Sequence, residues 1–166
     1  KDKGADILRL WVAMTDYTKE MTISEEIIKR VSESYRRIRN TSKFLLSNIN
    51  DFDVKDFKES DLLLLDKWII HKAEKINKQI QEDYEEFKFH KIMKDVINFC
   101  TLELGGYYLD IIKDRLYTSK SDGIPRSSAQ MTCYILMRYI NSWIAPILTF
   151  TAEEIYSKIP NGKESI

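Results

Sequence analysis

Cysteine, glycine and proline are all scarce in this chain of 166 residues, with 2 Cys, 5 Gly and 3 Pro. Two cysteines, Cys100 and Cys133, are too few for a disulfide framework or a four-ligand zinc site, and fit a reducing compartment. So little Gly and Pro excludes a loop-rich or fibrous protein. Net charge is missing too: 26 Lys+Arg stand against 26 Asp+Glu, which argues against a wholly basic nucleic-acid binder. The most apolar stretch, 127–145, carries Arg138, Gln130, Asn141 and Ser142 and makes a poor membrane span. Nothing at the start reads as a signal peptide, and an opening Lys-Asp-Lys-Gly without Met suggests a processed or excised chain. What the chain does have is 43% hydrophobic and 11% aromatic residues, too many for a disordered tail. At this length one domain can bury roughly 68–70% of its unfolded surface.

Apolar residues recur at helical spacing almost throughout, and no stretch alternates with period two. Ala5 to Met14 reads as a short helix that is apolar on most sides. A long helix follows the polar loop 15–22, opened by a Thr22/Glu25 capping box or by Ser24 as N-cap. Its apolar positions are Ile27, Val31, Tyr35, Ile38, Leu45 and Ile49. A second helix is predicted from Ser60 to about Tyr84, with Leu65, Trp68, Ile69, Ile76 and Ile80 on its inner stripe. A third is marked by Ile92, Val96, Phe99, Leu102, Tyr108, Ile111 and Ile112, and Gly105-Gly106 inside it predicts a kink or break. Ser127 or Ser128 opens a fourth, nearly uncharged and therefore central, which Pro146 ends or kinks. Thr151-Ala-Glu-Glu154 reads as a capping box for a last short helix that stops before Pro160-Asn161-Gly162. The expected fold is all-α, an antiparallel bundle of about four long helices.

Catalytic patterns do not emerge. There is no glycine-rich phosphate cradle, no His-Glu-x-x-His, no Cys-x-x-Cys and no Gly-x-Ser-x-Gly. His71 reads as a helix-surface residue, His90 as part of a turn, and both cysteines as small core residues. Charge, by contrast, is unevenly placed. From Lys29 to Lys43 six cations (Lys29, Arg30, Arg36, Arg37, Arg39, Lys43) face one acid, Glu33. Between Lys113 and Arg126 four cations face two acids, interleaved with Tyr117 and hydroxyls, whereas Asp51 to Asp66 has six acids and two cations. Arginine forks match phosphate oxygens and stack on bases, and Tyr117 offers a platform for an unpaired base. The competing reading is structural. Adjacent Arg36 and Arg37 project about 100° apart on a helix, so one can serve a neighbouring helix or domain. Tyr35, Tyr107, Tyr108, Tyr134 and Tyr139 read first as core or interface aromatics.

Several strings together are similar to one family. Gly4-Ala-Asp-Ile-Leu-Arg-Leu-Trp11-Val-Ala with Thr15-Asp-Tyr17 resembles the segment after the last catalytic signature of class I aminoacyl-tRNA synthetases. Ile23-Ser-Glu-Glu-Ile, Tyr35-Arg-Arg-Ile-Arg-Asn-Thr41 and Phe44-Leu-Leu followed by Asn50-Asp-Phe52 resemble the isoleucyl-tRNA synthetases in particular. So do Tyr108-Leu-Asp-Ile-Ile-Lys-Asp-Arg115-Leu-Tyr117 and Trp143-Ile-Ala-Pro-Ile-Leu-Thr-Phe-Thr-Ala-Glu-Glu154-Ile. The resemblance implies a stem-contact linker over 1–22 and a helical anticodon-binding domain over 23–166. It implies a partner, the isoleucine acceptor tRNA, and no catalytic site in these residues. ATP and zinc are implied only for a parent enzyme that is cytoplasmic and monomeric, without a membrane role. The apolar start, Ile7 to Val12, is expected to face that parent's catalytic domain. The expected tRNA contacts are Arg36, Arg37, Arg39, Lys43, Arg115, Tyr117 and Lys120. The alternative is a helical protein-interaction module whose basic face binds an acidic partner.

Overall fold

A computed structural model describes residues 4–54 and 57–160. Seven α-helices follow in order among them: α1 (Gly4–Met14), α2 (Glu25–Ser47), α3 (Leu64–Glu85), α4 (Phe89–Asn98), α5 (Leu109–Thr118), α6 (Ile124–Ile144) and α7 (Thr149–Tyr156). A π-helical segment, Phe99–Tyr108, joins α4 to α5 without a break, and no strand occurs among the described residues. The all-α bundle expected from the sequence is the observed fold.

Each start has a local cause. Ser24 is the N-cap of α2, its hydroxyl accepting from the Ile27 N–H at 3.2 Å, with Glu25 and Glu26 complementing the helix dipole in the first turn. α3 begins at Leu64 rather than at Ser60, because Glu59–Asp61 forms a separate 3-10 turn. α6 begins at Ile124, earlier than either serine, since Pro125 has the fixed φ that a first helical turn wants and no N–H to waste. The capping box at Thr151 is not formed. α7 starts two residues earlier, so Thr151 lies inside its first turn, and the cap comes from another helix. Asp6 of α1 accepts from the Thr151 N–H at 2.8 Å and from its hydroxyl at 2.5 Å. One turn on, Arg9 donates to the carbonyls of Ile147 at 2.6 Å and Pro146 at 2.9 Å, in the turn between α6 and α7. The Gly-Ala-Asp-x-x-Arg string thus clamps α1 to the α6–α7 corner.

The nearly uncharged α6 is central, as its composition predicts. It packs on α2, α3, α4, α5 and α7, and its buried residues include Leu136, Met137, Ile140 and Trp143. Trp143 stacks on Tyr139 at 5.7 Å and meets Phe99 edge-on at 5.5 Å, while its indole N–H donates to Asn77 at 2.9 Å. Successive long helices alternate in direction. Asp66 near the start of α3 meets Ser128 near the start of α6, whereas Gln130 of α6 donates to the carbonyl of Asn48 at the end of α2. One end of the bundle therefore gathers the end of α2, the start of α3, the end of α5 and the start of α6. The expected stop before Pro160-Asn161-Gly162 lies in part outside the described residues; α7 itself ends at Tyr156.

The predicted break at Gly105-Gly106 is a wide turn instead. Ile92, Val96, Cys100, Leu104, Tyr108, Ile112 and Leu116 are all buried, at a strict spacing of four. In an unbroken α-helix that spacing drifts by about 40° per step, or about 240° over six steps, and winds the stripe away from the core. The π-helical turns close i→i+5 bonds, hold more residues per turn and rotate the stripe back. The same phase shift leaves Leu102 and Ile111, expected inside, at 66% and 45% exposed. The glycines fit this backbone. A Cβ on Gly105 would lie 3.1 Å from the Cys100 carbonyl oxygen, and one on Gly106 3.3 Å from that of Thr101. Gly105→Ala should therefore fail to deliver the usual helical gain of ~1 kcal/mol. Urea unfolding checks this, and a full gain would show that the wide turn tightens without cost.

Candidate nucleic-acid interface

α2 carries most of the expected contacts, and its 3.6-residue period sorts them. Arg36, Asn40, Lys43 and Ser47 follow at spacings of four, three and four and form one outer stripe, while Ile38, Thr41, Ser42 and Leu45 face the core. Arg36 is exposed and paired with Glu33 at 3.2 Å, a surface i,i+3 contact of little energetic weight. Arg37, about 100° round the helix, and Lys43 are exposed and form no ion pair with another described residue.

Arg39 is different. Its guanidinium grips Glu154 of α7 through two nitrogens, at 2.8 and 3.2 Å, and donates to the Tyr35 hydroxyl at 3.3 Å. These hydrogen bonds hold the Arg39 pKa above its ordinary value, and the same bond to Arg39 lowers that of Glu154. Tyr35 in turn meets the hydroxyl of Thr151 at 2.8 Å. The arginine-rich segment thus spends one arginine and its tyrosine on fixing α7 beside α2.

Between those two helices runs a groove of about 710 Å³, lined by Arg39, Asn40, Ser42, Lys43, Leu46, Ser47, Asn50, Glu154, Ile155 and Lys158. Asn40, Ser47, Asn50 and Lys158 were not among the sequence candidates. The first two were readable as the continuation of the Arg36 stripe, and Asn50 follows where the helix ends. Lys158 was not, because only the fold brings it beside α2.

Arg115, by contrast, points inward. Its two terminal nitrogens donate to the two oxygens of Asp66, both at 2.8 Å, and Asp66 has 0% exposure. Tyr108 donates to the same carboxylate at 2.6 Å, Ser128 donates to it as well, and the Leu63 N–H donates to Ser128 at 2.9 Å. Burial alone would pull the guanidinium pKa down, but the hydrogen bonds and charge of Asp66 outweigh it and raise it. This node ties α3, the π-helical segment, α5 and α6 together.

Tyr117, 62% exposed near the end of α5, and Lys120 in the loop beyond it stand free at the end of the bundle. Neither lines the α2–α7 groove. Arg36 lies about 16 Å up the α2 shaft from Ser47, which ends the helix there. The structure therefore offers a cationic shaft, a polar groove and an aromatic tip, rather than one compact cluster.

The remaining candidates are structural. His71 is exposed beside Glu74 at 3.6 Å, and no three His, Cys, Asp or Glu side chains come together as a metal site among the described residues. Of the aromatics read as core, Tyr108 is fully buried, but Tyr107 is 49% exposed and packs edge-on against Trp68 at 5.6 Å. Trp68, expected inside, is on the outer face of α3 with the Lys72 ammonium 4.9 Å from its ring centre. Cys100 and Cys133 are buried, which pushes both thiols up to about 12. At pH 8 only about one thiol in ten thousand is then ionised. Ellman's reagent should find none reactive in the native chain and two after denaturation; fast native reaction would show the bundle opening.

Residues 66–166 match the family model for the anticodon-binding domain of tRNA ligase. The chain belongs to that family. It is also 51% identical over 164 residues to "Isoleucine--tRNA ligase" of Vesicomyosocius okutanii, covering 98% of this chain and 17% of that protein. It is 51% identical over 166 residues to the protein of that name from Coxiella burnetii, and 54% identical over 166 residues to that of Hahella chejuensis. Those alignments cover 99% and 98% of this chain, and 18% of each relative. The anticodon-binding domain thus spans less than a fifth of the length of the curated relatives it matches. Among its described residues no helix is long and apolar enough to cross a membrane. The matched residues include Tyr117 and Lys120 but not α2, and the ion pairs of Arg39 with Glu154 and of Arg115 with Asp66 brace the bundle.

Proposed function

We propose that this chain is the anticodon-arm-binding part of an isoleucine–tRNA ligase, the cytoplasmic enzyme that attaches isoleucine to its tRNA using ATP. The names of the relatives support the amino-acid assignment, and their greater length supports a parent in which activation, zinc binding and aminoacyl transfer belong to other segments. The single observation that carries the docking reading is the exposed cationic surface of α2, the Arg36–Lys43 stripe with Arg37 beside it. Arg36, Arg37 and Lys43 project into solvent, where α2 would otherwise need no such excess of positive charge. Lysine and arginine on a rigid helix hold phosphates of the anticodon arm, while polar and aromatic groups at the bundle end, Tyr117 and Lys120 among them, meet unpaired bases. Arg39 and Arg115 act behind this surface, as the braces of α7 and α5.

Residues 1–22 serve as the stem-contact linker, and the catalytic domain of the parent covers an apolar groove of about 620 Å³ beside α1. Leu8 at 55%, Val12 at 46% and Phe87 at 63% exposure line it with Tyr84, Phe89 and Pro146. Only part of the apolar start faces outward, since Leu10 has 0% exposure within this bundle.

Replacing Arg36 and Arg37 with alanine tests the docking reading. Two exposed charge contacts are worth up to about 1 kcal/mol each, so affinity for isoleucine tRNA should fall roughly tenfold. The slope of log affinity against log salt should flatten by about 1.5, and the thermal midpoint should stay put. Unchanged affinity would remove the α2 stripe from the interface.

A further inference from the structure

We infer that Asp66 is the positioning residue of the tRNA-binding tip: one buried carboxylate holds both flanks of residues 116–127 and thereby fixes where Tyr117 and Lys120 meet the RNA. The inference rests on the anticodon-arm reading above and names the side chain on which the aromatic end of that interface depends.

Tyr117 is 62% exposed, and Lys120 lies in the exposed loop that joins α5 to α6. The loop closes locally, with the Thr118 hydroxyl on the Asp114 carbonyl at 2.6 Å and the Gly123 N–H on the Lys120 carbonyl at 3.0 Å. Its place on the bundle is set where it leaves α5 and where it enters α6, and both points converge on Asp66. Arg115, two residues before Tyr117, fills both carboxylate oxygens at 2.8 Å. Ser128, in the second turn of α6, donates to the same group. Tyr108, at the end of the π-helical segment, adds a bond at 2.6 Å, and the Leu63 N–H on Ser128 at 2.9 Å ties in the start of α3.

Two guanidinium nitrogens, a phenol and a hydroxyl make four donors, and an ionised carboxylate has about four acceptor sites. The acid is therefore saturated, and the fork fixes angle as well as distance. A buried ion pair adds little net stability over apolar residues of the same volume, so what it contributes here is orientation. Buried Leu116 sets the depth of the α5 end but not its rotation. The Arg126–Asp51 pair on the far flank, at 2.6 Å, is open to water, with the Asp51 side chain 58% exposed, and holds the loop weakly. Without Asp66 the end of α5 would turn and carry the Tyr117 ring with it. With Asp66 in place the tip is ordered before RNA arrives, and less freedom is lost on binding.

The test is a mutant cycle on binding of the 166-residue chain to a hairpin RNA of the isoleucine anticodon arm, at a temperature where urea titration shows every variant folded. Ser128→Ala removes one donor and leaves the Arg115–Asp66 pair intact. Replacing Tyr117 and Lys120 together with alanine should weaken binding at least about tenfold. Ser128→Ala should weaken binding by the chain with an intact tip about fivefold, and binding by the tip-less chain not at all. Combined with Arg36→Ala, on the α2 shaft, its loss should multiply in full. Arg115→Lys keeps the charge but fills one oxygen; it should repeat this pattern, and it carries the test if Ser128→Ala does not fold. A role in folding alone lowers affinity by one factor in every background. Equal losses with and without the tip therefore overturn the positioning role, as does wild-type affinity in Ser128→Ala. Wild-type affinity in the tip-less chain overturns the tip contacts and the positioning role with them, and leaves docking to the α2 shaft. A hairpin that the wild-type chain fails to bind even at low salt overturns the anticodon-arm reading as well.

Discussion

Arg115→Ala is expected to cost about 3–5 kcal/mol of folding stability, enough to unfold much of a domain whose total is about 5–15 kcal/mol. The reason is the partner it leaves behind. Asp66 has 0% exposure, and removal of the guanidinium strands its carboxylate with only the hydroxyls of Tyr108 and Ser128. A buried charge without a counter-charge is far costlier than the loss of a surface pair. Arg115→Lys should recover part of the loss, because an ammonium restores the charge but cannot fill both carboxylate oxygens at 2.8 Å as the fork does. Urea denaturation of the three chains measures this. The same experiment on Arg36→Ala should show a change within about 0.5 kcal/mol, as expected for an exposed side chain. If Arg115→Ala were equally mild, the guanidinium would be a surface group and available to RNA.

Asp6→Ala should cost about 2–4 kcal/mol, through loss of a helix cap and the stranding of the buried Thr151 N–H and hydroxyl. The carboxylate sits at the start of α7 at 2.8 and 2.5 Å from those donors, so it also meets the positive end of that helix. Asp6→Asn should lose less, because an amide oxygen can still accept from Thr151. The loss should be felt locally first. With α1 released from α7, amide exchange should quicken in 4–14 and 149–156 before it does in the α6 core. Uniform exchange at both places would show that α1 and α7 are held by apolar packing alone.

The two inward carboxylates mark where the sequence stops being readable. Helix content, the central place of α6 and the Ser24 cap all follow from composition, period and local capping chemistry. Asp66 and Asp6 do not, because their partners lie 49 and 145 residues away. An aspartate early in a helix looks the same whether it serves its own dipole or caps another helix. The Thr151 capping box failed for this reason: a tertiary cap displaced the local one. The third helix misled differently. Its spacing of four was visible, but a 3.6-residue template placed Leu102 and Ile111 inside, and only the wide turn explains why they are outside. Among the candidate contacts, the solvent-facing ones were legible as a charge excess on one helix. Arg39 and Arg115 were not separable from them, since an arginine that binds a phosphate and one that binds a carboxylate have the same local sequence.

The central claim, that this chain docks the anticodon arm of isoleucine tRNA, is tested most directly by filter binding across a salt series. Isoleucine tRNA and an unrelated tRNA should both lose affinity linearly on a log-log scale, with the isoleucine tRNA bound more tightly at every salt concentration. Equal, negligible binding of both at low salt would contradict the account.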